Sequence, residues 1–204
     1  MTRLGFLIAR TLRQEEPLES LSAGRQSLLA EVAGRTVALV GNARSLSEKL
    51  FGADIDAADI VVRINRAPMP SAASHGATTD WLALATSIST NDLNRLRPDR
   101  ILWMSHKRKR LSWTVAQSKG FYLHPMADYE RLKQKLGSPP TTGAMMIDLL
   151  SQSGLARLNL YGFDFFASLS LTGSRTAEQV PHDFASERHF VEALVANDRR
   201  ITLT

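Results

Sequence analysis

Two short apolar runs, Val37-Ala38-Leu39-Val40 and Ile60-Val61-Val62-Arg63-Ile64, each end abruptly in residue types suited to holding a ligand, Gly41-Asn42 after the first and Asn65-Arg66 after the second. Runs with little polar alternation mark strands buried on both faces, and such strands belong to parallel sheets covered by helices on either side. Similar runs recur at 81–85, 101–104, 121–123, 158–163 and 201–203, at spacings that leave room for connecting helices. Candidate helices lie at 26–33, ending near Gly34, at 45–51 with Ser45 and Glu48 as a capping box, and at 129–136, stopped by Gly137 and Pro139-Pro140. Two more lie at 144–150 and 184–196. The alternation predicts an α/β chain, a single-domain Rossmann-like fold with a mostly parallel sheet and helices on both faces. In such sheets ligands bind outside the carboxyl ends of the strands.

A chain of 204 residues, 44% hydrophobic, is long enough for one sizeable core and short for two. Residues 1–36 mix apolar and charged residues around Pro17 and Gly24 and read as a peripheral N-terminal segment, leaving 37–204 as the binding domain. The absence of cysteine excludes a disulfide framework, a thiolate metal site and a cysteine nucleophile, and suits a reducing compartment, so a cytoplasmic location is expected. Leu4-Gly5-Phe6-Leu7-Ile8-Ala9 is too short to cross a bilayer and is interrupted by Arg10 and Arg13, so neither a membrane span nor a signal peptide is expected. The formal charge of +5 admits an acidic substrate, an anionic membrane surface contacted peripherally, or nucleic acid as partner.

Candidate chemistry gathers at a few positions. Gly41 can let a ligand approach the backbone while Asn42 offers donors and an acceptor; an ordinary Gly-Asn turn has the same sequence. Ala43 and Leu46 stand where a dinucleotide fingerprint needs glycines, so that site is excluded. Arg63 and Asn65 alternate with Val62 and Ile64 and are expected on one side of their strand. Pro139-Pro140-Thr141-Thr142-Gly143 before an apolar helix places hydroxyls and unpaired N–H groups at a helix start, which serves equally for capping or for an anion. His182, in a loop before a helix capped by Asp183, is either a general base near neutral pH or a solvated loop histidine.

Other features read as structural. Asp54 and Asp56 suit a turn or a helix cap better than a metal, and no histidine pair has the helical spacing that favours zinc, so no metal is expected. The run His106-Lys107-Arg108-Lys109-Arg110 reads as a solvated basic loop, and His124 as a surface histidine.

Four of these segments, taken together and in order, resemble the eukaryotic-type sialyltransferases of glycosyltransferase family 29 and their bacterial relatives. Val40-Gly41-Asn42 through Asn65-Arg66-Ala67-Pro68, closed by Gly76-Ala77-Thr78-Thr79-Asp80, is similar to the large sialylmotif. Pro140-Thr141-Thr142-Gly143 through Leu160-Tyr161-Gly162-Phe163 resembles the small sialylmotif, and His182 with Glu187 fits the very short histidine-x4-glutamate motif. Two features of the family are missing: its disulfide between the large and small motifs, and the histidine-aromatic motif expected between the small motif and His182.

The resemblance implies a metal-independent variant of the GT-A-like glycosyltransferase fold. The enzyme would transfer sialic acid or a related ulosonic acid from a CMP-sugar to a hydroxyl of a glycan or glycolipid, with inversion and without a cofactor. On that resemblance Asn42 and Asn65 contact the CMP phosphate and ribose, Thr142 and Gly143 contact the nucleotide, and His182 is the base. Gly41, Arg63 and Thr141 complete the binding set, with Glu187 in support. Arg44, Arg63 or Arg175 would supply charge to the departing phosphate. A CMP-Kdo transferase with the same site, or a nucleotide- or glycan-binding module without catalysis, fits the same residues; nucleic acid is not an expected partner.

Overall fold

The sheet is built from seven strands, all parallel. They are β1 (Thr36–Val40), β2 (Ile60–Ile64), β3 (Trp81–Leu84), β4 (Arg100–Trp103), β5 (Tyr122–Leu123), β6 (Arg157–Tyr161) and β7 (Ile201–Leu203), in the spatial order β5-β4-β3-β2-β1-β6-β7. These assignments come from a computed structural model that describes residues 1–165, 167, 170–171 and 181–204. Arg175 lies outside the described residues.

Every residue of β2 is buried, and only Thr36 of β1 is not, as expected of central parallel strands covered on both sides. Side-chain alternation divides the core. Val37 and Leu39 of β1, Ile60, Val62 and Ile64 of β2, and Leu158 and Leu160 of β6 face one layer of helices. That layer comprises α3 (Arg25–Glu31), α8 (Met126–Leu136), α9 (Thr142–Ser151) and α10 (Phe184–Asn197). Ala38, Val40, Val61 and Tyr161 face the opposite side, where they meet Ile55 of α4 (Gly52–Asp56) and Leu46. On that same side β3 and β4 are covered by α1 (Arg3–Leu12), α2 (Glu15–Glu19), α6 (Thr90–Leu96) and α7 (Trp113–Ala116).

The strand order reverses between β1 and β6, so the chain leaves the sheet in opposite directions from these neighbours. That is the crevice where open parallel sheets bind ligands. Helix α9 is buried along its length from Thr142 to Leu150, including Asp148, whose carboxylate meets Arg131 Nη2 at 2.7 Å and Gln152 Nε2 at 2.9 Å.

Several local expectations need correction. Residues 44–48 form a 3-10 turn rather than the start of an α-helix, preceded by Ala43 without a side-chain cap. Ser45 therefore does not build a capping box with Glu48, and its hydroxyl donates to Asp164 Oδ2 at 3.0 Å. Residues 1–19 contain two helices that patterning did not suggest, with Phe6 and Leu18 fully buried. Pro17 is tolerated because it occupies the first turn of α2, where backbone N–H groups have no intrahelical acceptor.

The basic run at 106–110 is only partly solvated, since Arg108 is buried. Its Nη2 pairs with Glu15 at 2.8 Å and also reaches the His124 carbonyl at 2.7 Å, which ties α2 to the ends of β4 and β5. His124 is likewise buried rather than on the surface, and burial holds its imidazole down at about 4, neutral at physiological pH. Among the described residues no helix is long and apolar enough to cross a membrane.

Candidate active site

The carboxyl ends of β6, β1, β2 and β3 are laced together by polar groups. Gly41 N–H donates to the Tyr161 carbonyl at 2.8 Å, and a Cβ at position 41 would overlap the carbonyl oxygen of Gly162. Gly41 is therefore required by the approach of the β6 loop. That contact is backbone against backbone, a reason for the glycine beyond the ligand approach that the sequence suggested.

Asn42 donates from Nδ2 to the carbonyl of Ile64 at 3.1 Å, and Asn65 Oδ1 accepts from Ala85 N at 2.9 Å. A carbonyl can only accept and an amide N–H only donate, so these bonds fix the orientation of both carboxamides. Among the described residues nothing bonds to the Asn42 Oδ1 or the Asn65 Nδ2, an acceptor and a donor on neighbouring strand ends. Asn65 has φ 54°, the left-handed region that asparagine tolerates better than most residues. The strict alternation that would set it beside Arg63 therefore stops at Ile64.

Arg63 does not join this rim. It is 1% exposed, and it donates to the carbonyls of Thr78 at 2.8 Å and His75 at 2.7 Å and to the Thr79 hydroxyl at 3.1 Å. Burial pulls its guanidinium down to about 10, still charged at neutral pH, with the Asp56 carboxylate opposing the fall. Asp56 in turn accepts from Ala77 N at 2.9 Å and Thr78 N at 2.9 Å, and these bonds hold its carboxyl below the usual range against a desolvation cost. Arg63 and Asp56 therefore shape the 75–79 loop.

A second cluster forms at the start of α9. Thr141 caps the helix, its hydroxyl oxygen accepting from Ala144 N at 3.1 Å. The same residue is gripped by Glu187 of α10: Thr141 N donates to Oε1 at 2.6 Å and Thr141 Oγ1–H to Oε2 at 2.7 Å. Glu187 is 3% exposed, and desolvation pushes its carboxyl up to about 7 despite those two bonds. The glutamate thus steadies the start of α9, not that of its own helix, which Asp183 caps through Ala185 N and Ser186 N.

His182 sits beside this clamp. Its Nδ1 lies 2.7 Å from the carbonyl oxygen of Pro139, and a carbonyl can only accept, so Nδ1 carries the proton and the lone pair belongs to Nε2. Ser138 Oγ accepts from Asp183 N at 3.1 Å, so the 138–141 and 182–187 segments are stitched at three points.

Phe163 connects the two clusters. A Cβ on Gly143 would lie 2.6 Å from Phe163 Cε1, and one on Gly41 would lie 3.3 Å from Cε2. The two glycines therefore flank opposite edges of one ring, which brings the end of β1 against the first turn of α9. Phe163 and Pro139 lie in segments that the sequence pointed to, but neither was given a role there. The signal for Phe163 is its place just beyond the β6 run after Gly162; the role of the Pro139 carbonyl has no sequence signal.

The geometry supplies an acceptor and a donor from the two asparagines, the N-terminus of a buried helix, and an imidazole lone pair. Such a set suits an anionic, hydrogen-bonding ligand and removal of a proton. Among the described residues no cluster of three or more histidine, aspartate or glutamate side chains could hold a metal ion. A cavity of about 600 Å³ opens elsewhere, lined by Thr36, Asp54, Arg157, Asn159 and Tyr161 among others. It runs along a face of β6 and holds none of these groups.

The sequence signature of glycosyltransferase family 29 (sialyltransferase) matches residues 18–118. That stretch, about half of the chain, carries the family's signature. It is similar in fold to the crystal structure of a mammalian sialyltransferase in complex with Gal-beta-1-3GalNAc-ortho-nitrophenol. The TM-score is 0.67 at 17% identity, over 98% of this chain and 84% of that one. A second crystal structure of a mammalian sialyltransferase matches with a TM-score of 0.61 at 18% identity, over 88% of this chain and 77% of that one. No individually curated protein sequence matches the chain. The matched signature covers β1 to β4, and the likeness to these two structures in fold extends over the single α/β domain with its seven parallel strands.

Proposed function

We propose that this chain is a family 29 glycosyltransferase that moves sialic acid or a related ulosonic acid from a CMP-sugar to a hydroxyl of a glycan, with inversion and with His182 as general base. The observation that carries the reading is the bond from His182 Nδ1 to the Pro139 carbonyl, which leaves the Nε2 lone pair beside the start of α9. Nε2 removes the acceptor proton as the acceptor oxygen attacks the anomeric carbon. The carbon–oxygen bond to CMP breaks on the opposite face, and CMP leaves with the bonding pair.

Gly143 and Thr142 present their N–H groups at the positive end of a buried helix, where negative charge grows on the departing phosphate. Asn42 Oδ1 and Asn65 Nδ2 meet the phosphate and ribose side of the nucleotide. Gly41 and Thr141 hold the two halves of the site in place, as does Glu187 through its grip on Thr141. This scheme calls for neither a metal nor a cofactor. All of these residues fall within 37–204, which we assign as the transferase part of the chain, with 1–36 as an accessory N-terminal segment.

The test is single-turnover kinetics of His182→Ala with CMP-sialic acid and a panel of acceptors. The expected result is a loss of roughly 10²- to 10⁴-fold with CMP binding intact. An unchanged rate on a productive acceptor removes His182 as the base.

A further inference from the structure

Helix α1 carries an unusual surface. Of the six large apolar side chains exposed among the described residues, five are Met1, Leu4, Leu7, Ile8 and Leu12. Leu4, Ile8 and Leu12 follow one another at four-residue intervals and so form a single stripe along the outside of the helix, with Leu7 at its edge. The inner face is separate: Phe6 and Ala9 are buried against the core, and Phe6 packs on Trp113 with ring centroids 5.1 Å apart. The outer stripe is not needed to hold the helix in place.

The charge around the stripe is mostly positive, with Glu16 and Glu19 of α2 as the exposed acids nearby. Residues 1–14 contain Arg3, Arg10 and Arg13 and no acid. Arg3 and Arg13 are exposed, and Arg10 Nη1 donates to the Leu111 carbonyl at 2.8 Å, which fixes α1 to the 3-10 turn Arg108–Arg110. Lys107, Lys109 and Arg110 of that segment are exposed, and its remaining arginine, Arg108, is buried against Glu15. The helix that carries the apolar stripe thus has two exposed cations of its own, Arg3 and Arg13, and three more, Lys107, Lys109 and Arg110, lie on the turn to which it is fixed.

We propose that α1 is an interfacial anchor that lies in the plane of an anionic lipid bilayer. Leu4, Ile8 and Leu12 enter the boundary of the acyl chains, and Arg3, Arg13, Lys107, Lys109 and Arg110 meet the anionic headgroups. Charge complementarity favours this occupant over a second copy of the chain, because the exposed cations Arg3, Arg13, Lys107, Lys109 and Arg110 outnumber the exposed acids Glu16 and Glu19, so pairing two such faces would leave like charges opposed. The inference stands apart from the transferase assignment and holds whichever sugar is transferred.

The test is co-sedimentation of the full chain with vesicles of phosphatidylcholine alone and with about 30% phosphatidylglycerol, at roughly 0.1 M and 0.5 M salt. Binding is expected only to the anionic vesicles and is expected to weaken with salt. The double variant Leu4→Asp/Ile8→Asp and the triple variant Lys107→Ser/Lys109→Ser/Arg110→Ser should each lower partitioning by roughly tenfold or more. Both sets of side chains are exposed, so the circular dichroism melting curve should be unchanged. Absence of vesicle binding overturns the proposal, as does binding that survives the Leu4/Ile8 change. A concentration-dependent dimer in analytical ultracentrifugation that the Leu4/Ile8 variant dissociates would assign the face to a second copy and also overturn it.

Discussion

Two corners of this molecule are built from similar polar residues and differ in what they leave unbound. At the β2–α5 corner, with α5 spanning Ala72–His75, Arg63 and Asp56 bond to the main chain of 75–78, and the arginine is sealed from solvent. At the start of α9, Thr141, Glu187 and His182 are as densely bonded to one another and to the main chain, but one imidazole nitrogen is kept out of the network. The first corner is sealed, and its one unpaired imidazole nitrogen, His75 Nε2, is buried. The second is rigid yet unfinished, the condition expected of a group that must take up a proton from a substrate.

The contrast makes opposite predictions for the two cationic or basic side chains. Arg63→Met should cost stability, about 3 kcal/mol in urea unfolding, because it strands buried acceptors and leaves Asp56 without its cation. His182→Ala should cost rate and leave the urea midpoint nearly unchanged. If Arg63→Met instead lowers CMP affinity in a fully folded protein, the division between the corners fails.

Glu187 gives an intermediate effect with a definite pH signature. Its carboxyl rises from an ordinary 4.5 to about 7 on folding, so folding favours the protonated form. The folded state binds more protons than the unfolded state between these values, and stability falls as pH rises from 4.5 to about 7. The size is on the order of 3 kcal/mol. Glu187→Gln should flatten that part of the stability–pH curve measured by chemical denaturation; a curve that keeps its slope assigns the titration to another group.

The smallest effect is at the cap. Thr141→Ala removes one hydroxyl that both caps α9 and donates to Glu187, and should cost about 1–2 kcal/mol in chemical denaturation, with Thr141→Ser restoring most of it. A loss confined to catalysis would mean that Thr141 contacts substrate directly.

The strands were legible because their cause is local. Burial on both faces demands nearly continuous apolar runs, so Ile60–Ile64 agrees with the sequence reading residue for residue; the edge strand Ile201–Leu203 agrees as well, although only Ile201 of it is buried. Helices α1 and α2 escaped because few of their residues are buried and because Pro17 looks like a breaker until its position in the first turn is known.

The candidate site was legible as a set of residue types but not as a set of duties. Arg63 and Asn65 are equivalent in a strand-end pattern, and only the left-handed turn at Asn65 and the burial of Arg63 separate them. Gly41 was read as letting a ligand approach the backbone and Gly143 as a nucleotide contact; each is also required by the Phe163–Gly162 loop, more than a hundred positions from Gly41 and twenty from Gly143. The tautomer of His182 depends on a carbonyl 43 residues away, which no local pattern reveals.

The central claim is that the strand ends carrying Asn42 and Asn65 and the start of α9 form one nucleotide site with His182 Nε2 at its edge. A crystal structure of the chain with CMP tests it most directly. The account predicts the phosphate at the N–H groups of Thr142 and Gly143, the ribose within hydrogen-bond reach of Asn42 or Asn65, and His182 still bonded to Pro139. CMP bound instead in the groove between Thr36, Arg157 and Tyr161, or His182 turned to present Nε2 to the Pro139 carbonyl, would contradict it.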